Sequence, residues 1–259
     1  MEIRYNLILF IYVPVLLLLV INAFRDRFEP QNKIIKLCNW SLLPATGLIF
    51  FLISSQGIIA FWYANLFGIQ NIFPYNLTNT QILKFFYYCL SLTLVYLLLR
   101  YVYKVRIAQV FDLKSYHFPL ILKVCSILAL LHLLDALVTR KRPVPSAISD
   151  YKLLDTQSII LFSFVAIVVA PIVEEIIFRG LLYSPLYRKT GRYPAIILSS
   201  LIFAYGHSVE IYPSITIAAF GIFIMGILQA WLYDRSGSLF PPIIVHMFQN
   251  SWILIYLFK

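Results

Sequence analysis

Residues 159–182 are apolar at almost every position, yet they place two carboxylates and a guanidinium, Glu174, Glu175 and Arg179, close together. An apolar run of this length is read as a helix that crosses a bilayer. An ionisable side chain at the centre of such a helix costs about 2.5–3.5 kcal/mol to insert, so three of them require either pairing or a function. Glu175 and Arg179 stand four apart with the glutamate on the N-terminal side, the favoured orientation for an ion pair on one helix face. That pairing alone leaves Glu174 without a partner, and an intramembrane carboxylate with no counterion is a functional group by default. Pro171 falls inside the same run, removes one backbone donor and predicts a kink one turn before Glu174.

Composition extends the membrane reading to the whole chain. Of 259 residues, 61% are hydrophobic and only 12% charged, with mean hydropathy +0.84, whereas a soluble domain carries about 25% charged residues. The net charge of +10 would point to nucleic acid in a soluble protein. Here the Lys and Arg residues cluster between apolar runs, as loops meeting anionic headgroups do, so the bilayer replaces nucleic acid as the expected partner. Cys38, Cys89 and Cys125 are scattered with no C-x-x-C spacing, which argues against a disulfide framework or a zinc knuckle.

The apolar runs predict an all-α polytopic fold of about eight transmembrane helices, over residues 6–24, 42–63, 82–99, 118–138, 156–183, 194–207, 214–233 and 242–258. The first lacks an A-x-A-like cleavage site before Arg25 and is long enough to span, so it reads as an uncleaved helix. Connectors 26–36 and 101–117 are basic, as is a loop around Arg188, Lys189 and Arg192. Loops on one side carry twice as many Lys and Arg residues as those on the other. The positive-inside rule then puts both termini outside the cytoplasm, in a chain expected in the plasma membrane. Residues 1–150 form an N-terminal transmembrane region of about four helices, and residues 155–259 hold the polar constellation.

That constellation has three further members. In the sixth span Phe203 and His207 lie one turn apart on one face; in the eighth, His246 and Asn250 do the same, with Pro241 and Pro242 in the first turn, where proline is tolerated. A lone histidine or asparagine in a span is commonly helix glue. Together, a carboxylate, two imidazoles and an amide are what water activation and oxyanion stabilisation require. His132 and Asp135 share a face of the fourth span, an arrangement that could serve a proton relay or a substrate contact, and the simpler reading pairs Asp135 with His132 or with the Arg140–Lys141–Arg142 cluster at the membrane edge. Trp40 and Trp62 flank the second span as belt residues. The Asn76-Leu77-Thr78 sequon is a chance match as readily as a modification site.

In order and spacing, Glu174-Glu175-Ile-Ile-Phe178-Arg179, Phe203-Ala-Tyr-Gly-His207 and His246-Met-Phe-Gln-Asn250 resemble the EExxxR, FxxxH and HxxxN/D motifs of the CAAX-processing and bacteriocin-processing intramembrane proteases. The resemblance covers about residues 158–251; the N-terminal half carries no such likeness. It implies a glutamate-dependent endopeptidase core over residues 155–259. Glu174 and His207 would activate water, His246 and Asn250 would stabilise the oxyanion, and Glu175, Arg179, Phe178 and Phe203 would support them. The expected substrate is a membrane-associated protein or peptide, cleaved without a cofactor. Zinc is the second reading, since two histidines and a glutamate are a catalytic zinc set. Two rivals from other classes are a proton-coupled transporter, which would be expected to show repeat symmetry and broken helices in matching halves, and a non-catalytic immunity or scaffold protein; failure of Glu174, His207, His246 and Asn250 to converge on a common water site would exclude catalysis, and convergence around a sealed pocket would favour the immunity or scaffold role.

Overall fold

The computed structural model describes residues 41–66, 77–105, 116–138, 156–208 and 215–257, and among these the regular structure is helical throughout. The expected first span, the 26–36 connector, the 140–142 cluster and Asn76 lie outside the described residues. Seven helices occur within them: α1 Leu42–Leu66, α2 Leu77–Leu97 with a π-helical continuation Leu98–Val102, α3 Phe118–Val138, α4 Thr156–Thr190, α5 Arg192–Ser208, α6 Ile215–Ser236 and α7 Phe240–Leu257.

Several serine hydroxyls inside these apolar helices bond the backbone of their own helix. Ser91 donates to Tyr87 O at 2.8 Å, Ser163 to Ile159 O at 2.7 Å and Ser200 to Ile196 O at 2.6 Å. That is how Ser is accommodated where no water is at hand.

Helix α4 is the axis of the bundle. Its Val173, Ile177, Leu181 and Leu182 pack against Ile49 and Leu52 of α1, Val95 of α2, Phe203 of α5, Ile224 of α6 and Ile243 of α7 in one buried cluster. Helix α3 lies to the side, where Ile121, Val124 and Leu128 meet Leu228 and Leu232 of α6 and Val245 of α7. Only 17% and 28% of the most apolar windows of α2 and α4 are buried within the protein. Their other apolar positions, such as Phe86 and Ile160, and Phe50 and Leu122 on α1 and α3, face outward. A soluble bundle would hide such helices; a membrane protein presents them to lipid.

The structure corrects one expectation. The basic stretch after the fifth span is not a loop: Ser184–Thr190 continues α4, and Arg192 already begins α5. The connection is essentially Gly191, whose φ of 86° suits glycine and whose amide closes the helix on Tyr187 O at 2.8 Å. Around the expected kink α4 contains a π turn at Val165–Val169, ending two residues before Pro171, and a second at Ile176–Tyr183 after the two glutamates. Pro171 thereby occupies the first turn of the segment Ala170–Glu175, where a missing donor is tolerated.

Candidate active site

Glu174 and Glu175 are adjacent on α4 and therefore point about 100° apart around the helix. One carboxylate is built into the bundle and the other faces a cavity. Glu175 is fully buried and pairs with Arg179, Nε to Oε2, at 3.2 Å. Its Oε1 takes the Nδ1–H of His246 at 2.9 Å. Gln229 of α6, its amide nitrogen turned inward as its surroundings demand, donates to the same Oε1 at 2.8 Å and to Pro242 O at 3.0 Å. Arg179 spends another N–H on Gly226 O at 3.1 Å, and its guanidinium lies 4.5 Å from the centre of the Phe203 ring. Phe178 meets Phe203 edge to face at 5.1 Å. A carboxylate, a guanidinium, an amide, an imidazole and two aromatic rings thus interlock α4, α5, α6 and α7.

Glu174 is not without a partner, contrary to the reading that paired only Glu175. Its Oε1 accepts the phenol O–H of Tyr88, from α2, at 3.1 Å. Its Oε2 lies 3.4 Å from His207 Nε2 and 3.8 Å from His246 Nε2. The tautomers follow from the opposite ring edges. His207 Nδ1 faces Phe203 O at 3.0 Å and His246 Nδ1 faces Glu175 Oε1 at 2.9 Å. Both partners only accept, so both Nδ1 atoms carry hydrogen, and in the neutral rings both Nε2 atoms present lone pairs. Both Nε2 atoms thus lie near Glu174 Oε2, at 3.4 and 3.8 Å, and with neutral rings the three acceptors are complementary to a donor such as water. A cavity of about 60 Å³ adjoins Glu174 and His207, lined also by Ile49, Leu52 and Ile53 of α1 and Tyr87, Tyr88 and Ser91 of α2. Such a volume holds more than one water.

Asn250 stands one turn beyond His246 on α7. Its amide donates to Ala166 O at 2.8 Å, and helix geometry explains why that carbonyl needs it. In the π turn Ala170 N–H bonds to Val165 O. The next donor in that register would be residue 171, a proline without an N–H. Asn250 fills the gap and has a second N–H to spare.

His132, on α3, lies apart from this cluster, 3.2 Å from Gln249 Oε1 and stacked on Trp252 at 4.8 Å. The Asp135 side chain lies outside the described residues. Among the described residues, no group of three or more His, Cys, Asp or Glu side chains is disposed to hold a metal ion.

Residues missed from sequence are Tyr88 and Gln229. Gln229 could have been suspected, since an uncharged polar residue amid the apolar α6 sequence calls for a partner. Tyr88 carries no such signal in a chain of 18 tyrosines.

Residues 156–252 match the family described as "Type II CAAX prenyl endopeptidase Rce1-like". Over 99 residues the chain is 34% identical to the "Putative membrane peptidase YdiL" of Bacillus subtilis (strain 168), a match covering 38% of each protein. Over 106 residues it is 31% identical to the "Membrane-embedded CAAX protease MroQ" of Staphylococcus aureus (strain USA300), covering 37% of this chain and 39% of that protein. The matches thus span well under half the length of these relatives, and no solved structure matches. By sequence, then, it is the segment from residue 156 to residue 252, the one holding Glu174, His207, His246 and Asn250, that is Rce1-like, and this chain is a membrane protein that carries it.

Proposed function

We propose that the chain is an intramembrane endopeptidase that hydrolyses a peptide bond of a membrane-associated protein or peptide, of the CAAX, leader or C-terminal sorting type, with a water activated by Glu174 and His207. The observation that supports this best is that Glu174 Oε2 lies 3.4 Å from His207 Nε2 and 3.8 Å from His246 Nε2, beside a cavity that Glu174 and His207 line. A water there donates one hydrogen to Glu174 Oε2 and one to His207 Nε2. Its oxygen attacks the peptide carbonyl carbon as Glu174 takes the proton. The oxyanion is met by the second N–H of Asn250 and by His246, which serves as a donor with a proton taken up on Nε2 from solvent, a charge that Glu175 offsets from behind. When the C–N bond breaks, the departing nitrogen takes the proton held by Glu174, leaving a new amine and a carboxylic acid that becomes a carboxylate by giving up the water's second proton through His207.

The test compares membranes from cells expressing wild type or Glu174→Gln at equal folded levels, mapping new N- and C-termini across the proteome. General-base catalysis contributes about 10²–10⁴-fold, so termini seen only with the wild type are expected. Identical termini from both proteins across several growth conditions would sink the proposal. Processing that is abolished by a chelator and restored by zinc would transfer the water to a metal held by the same three side chains.

A further inference from the structure

We infer that Tyr88, in the half of the chain outside the Rce1-like segment, is a positioning residue for the proposed reaction: its phenol holds Glu174 Oε1 so that Oε2 alone serves as the base. The inference rests on the endopeptidase reading and adds a residue to it.

The direction of the bond is fixed by chemistry. An ionised carboxylate can only accept, so the phenol donates, and at 3.1 Å it occupies Oε1. A carboxylate free to rotate would offer its two oxygens to the imidazoles interchangeably. With Oε1 anchored on α2, the other oxygen is left facing His207 Nε2 at 3.4 Å and His246 Nε2 at 3.8 Å. Tyrosine suits the task, since its ring brings a single polar atom to the site on a rigid arm with few rotatable bonds.

The adjacent residue fixes that arm. Tyr87 donates its O–H to Leu52 O of α1 at 2.8 Å, and the rings of Tyr87 and Tyr88 meet edge to face at 5.7 Å and 63°. Neighbouring positions on a helix diverge by about 100°, so one tyrosine ties α2 to α1 while the next reaches α4. The rotation of α2 is therefore pinned by a bond that takes no part in the chemistry. Ser91, one turn further, is fully buried on the cavity wall and bonds its own helix. Residues 156–252 supply base, imidazoles and amide; the orientation of the base comes from α2.

A purely structural role for Tyr88 makes different predictions. If the ring only packs, Tyr88→Phe, which keeps the ring, changes nothing at Glu174. If the phenol positions the carboxylate, the same substitution disturbs Glu174 while leaving the fold intact. Purified full-length wild type, Tyr88→Phe and Glu174→Gln would be compared by difference infrared spectroscopy, the Glu174 carboxylate band being the one that disappears in Glu174→Gln. In parallel, the rate at which wild-type-only termini accumulate would be measured in membranes at matched protein levels. The expected result is a shifted Glu174 band in Tyr88→Phe, an unchanged melting temperature and termini accumulating about tenfold more slowly, the low end for a bond to a charged group. An unmoved band, or accumulation at the wild-type rate while Glu174→Gln abolishes it, overturns the inference and leaves the endopeptidase reading standing. Accumulation unaffected by Glu174→Gln removes that reading instead, and the band still reports whether Tyr88 holds the carboxylate. Should Tyr88→Phe fail to fold, 3-fluorotyrosine at position 88 keeps the ring and hydroxyl with a stronger donor. The band then shifts if the bond exists and stays in place if it does not.

Discussion

Replacing Glu175 should destabilise this protein more than replacing any other side chain of the cluster, and removing Arg179 as well should restore much of the loss. The carboxylate is 0% exposed and the guanidinium 1% exposed, so neither reaches water. Three groups converge on Glu175: Arg179 on Oε2, and His246 and Gln229 on Oε1. Glu175→Ala leaves a buried cation without its counterion, a loss of about 3–5 kcal/mol, and orphans two further donors at about 1–3 kcal/mol each. These penalties share one cavity and do not add, so about 4 kcal/mol is the working figure. At roughly 2–4 °C per kcal/mol for a chain of this size, the melting temperature should fall by about 8–16 °C. Circular dichroism of the detergent-purified full chain, heated at one fixed rate, measures it. Glu175→Ala/Arg179→Met removes both charges and should be markedly more stable than Glu175→Ala alone, because an uncompensated charge costs more than an absent pair. If Glu175→Ala melts within about 3 °C of wild type, or the double variant is no better than the single, then Glu175 is not what neutralises Arg179.

Three other expectations use the same measurement. Asn250→Leu should cost about 0.6–1.7 kcal/mol, the range for interhelical hydrogen bonds in membranes, and the cost should shrink in a Pro171→Ala background, where residue 171 gains an N–H for Ala166 O; equal costs in both backgrounds would contradict the account of the π turn. Gly226→Ala places a Cβ 3.0 Å from Ser200 Cβ and 3.1 Å from Ser200 Cα, so α5 and α6 must separate at about 1–3 kcal/mol, whereas Gly47→Ala, with nothing within 4 Å, should be neutral or mildly stabilising. Asp234→Ala removes the acceptor of the Tyr183 phenol at 2.7 Å and the counterion of Arg192 at 2.6 Å; a loss of about 3 kcal/mol is expected, with the rate of terminus formation per folded molecule unchanged.

The spans were legible in the sequence because hydrocarbon leaves the backbone little choice. Every N–H and C=O must be paired within its own helix, so a long apolar run is a helix. Thus 118–138 coincides with α3, Phe118–Val138, and 42–63 and 242–258 fall within a few residues of α1 and α7. Where the apolar pattern stops, that logic stops with it. Ser184–Thr190 is polar and reads as a loop, but α4 continues through it, with Ser184, Pro185 and Leu186 buried in the bundle. The first span cannot be compared, since it lies outside the described residues.

Polar residues in apolar helices are few, so Glu174, Glu175, Arg179, His207, His246 and Asn250 could be picked out one by one from the sequence alone, since each is costly to bury without a partner. The Glu175–Arg179 pair was already legible in its i, i+4 spacing; the other partnerships were decided by the tertiary structure. Two adjacent glutamates are chemically identical on paper. Helix rotation sends Glu175 into a buried cage of Arg179, His246 and Gln229 and Glu174 toward a cavity with Tyr88 and His207. Asn250 reads in sequence as an oxyanion donor, and only the bundle shows that one of its N–H groups is engaged on Ala166 O, opposite the missing donor of Pro171, with the other left over. Tyr88 has no distinguishing neighbours in sequence and acquires its role from a contact 86 positions away. Residue type and hydropathy specify which groups are costly to bury, whereas which of them meet depends on how helices from distant parts of the chain pack, and that is a property of the three-dimensional bundle.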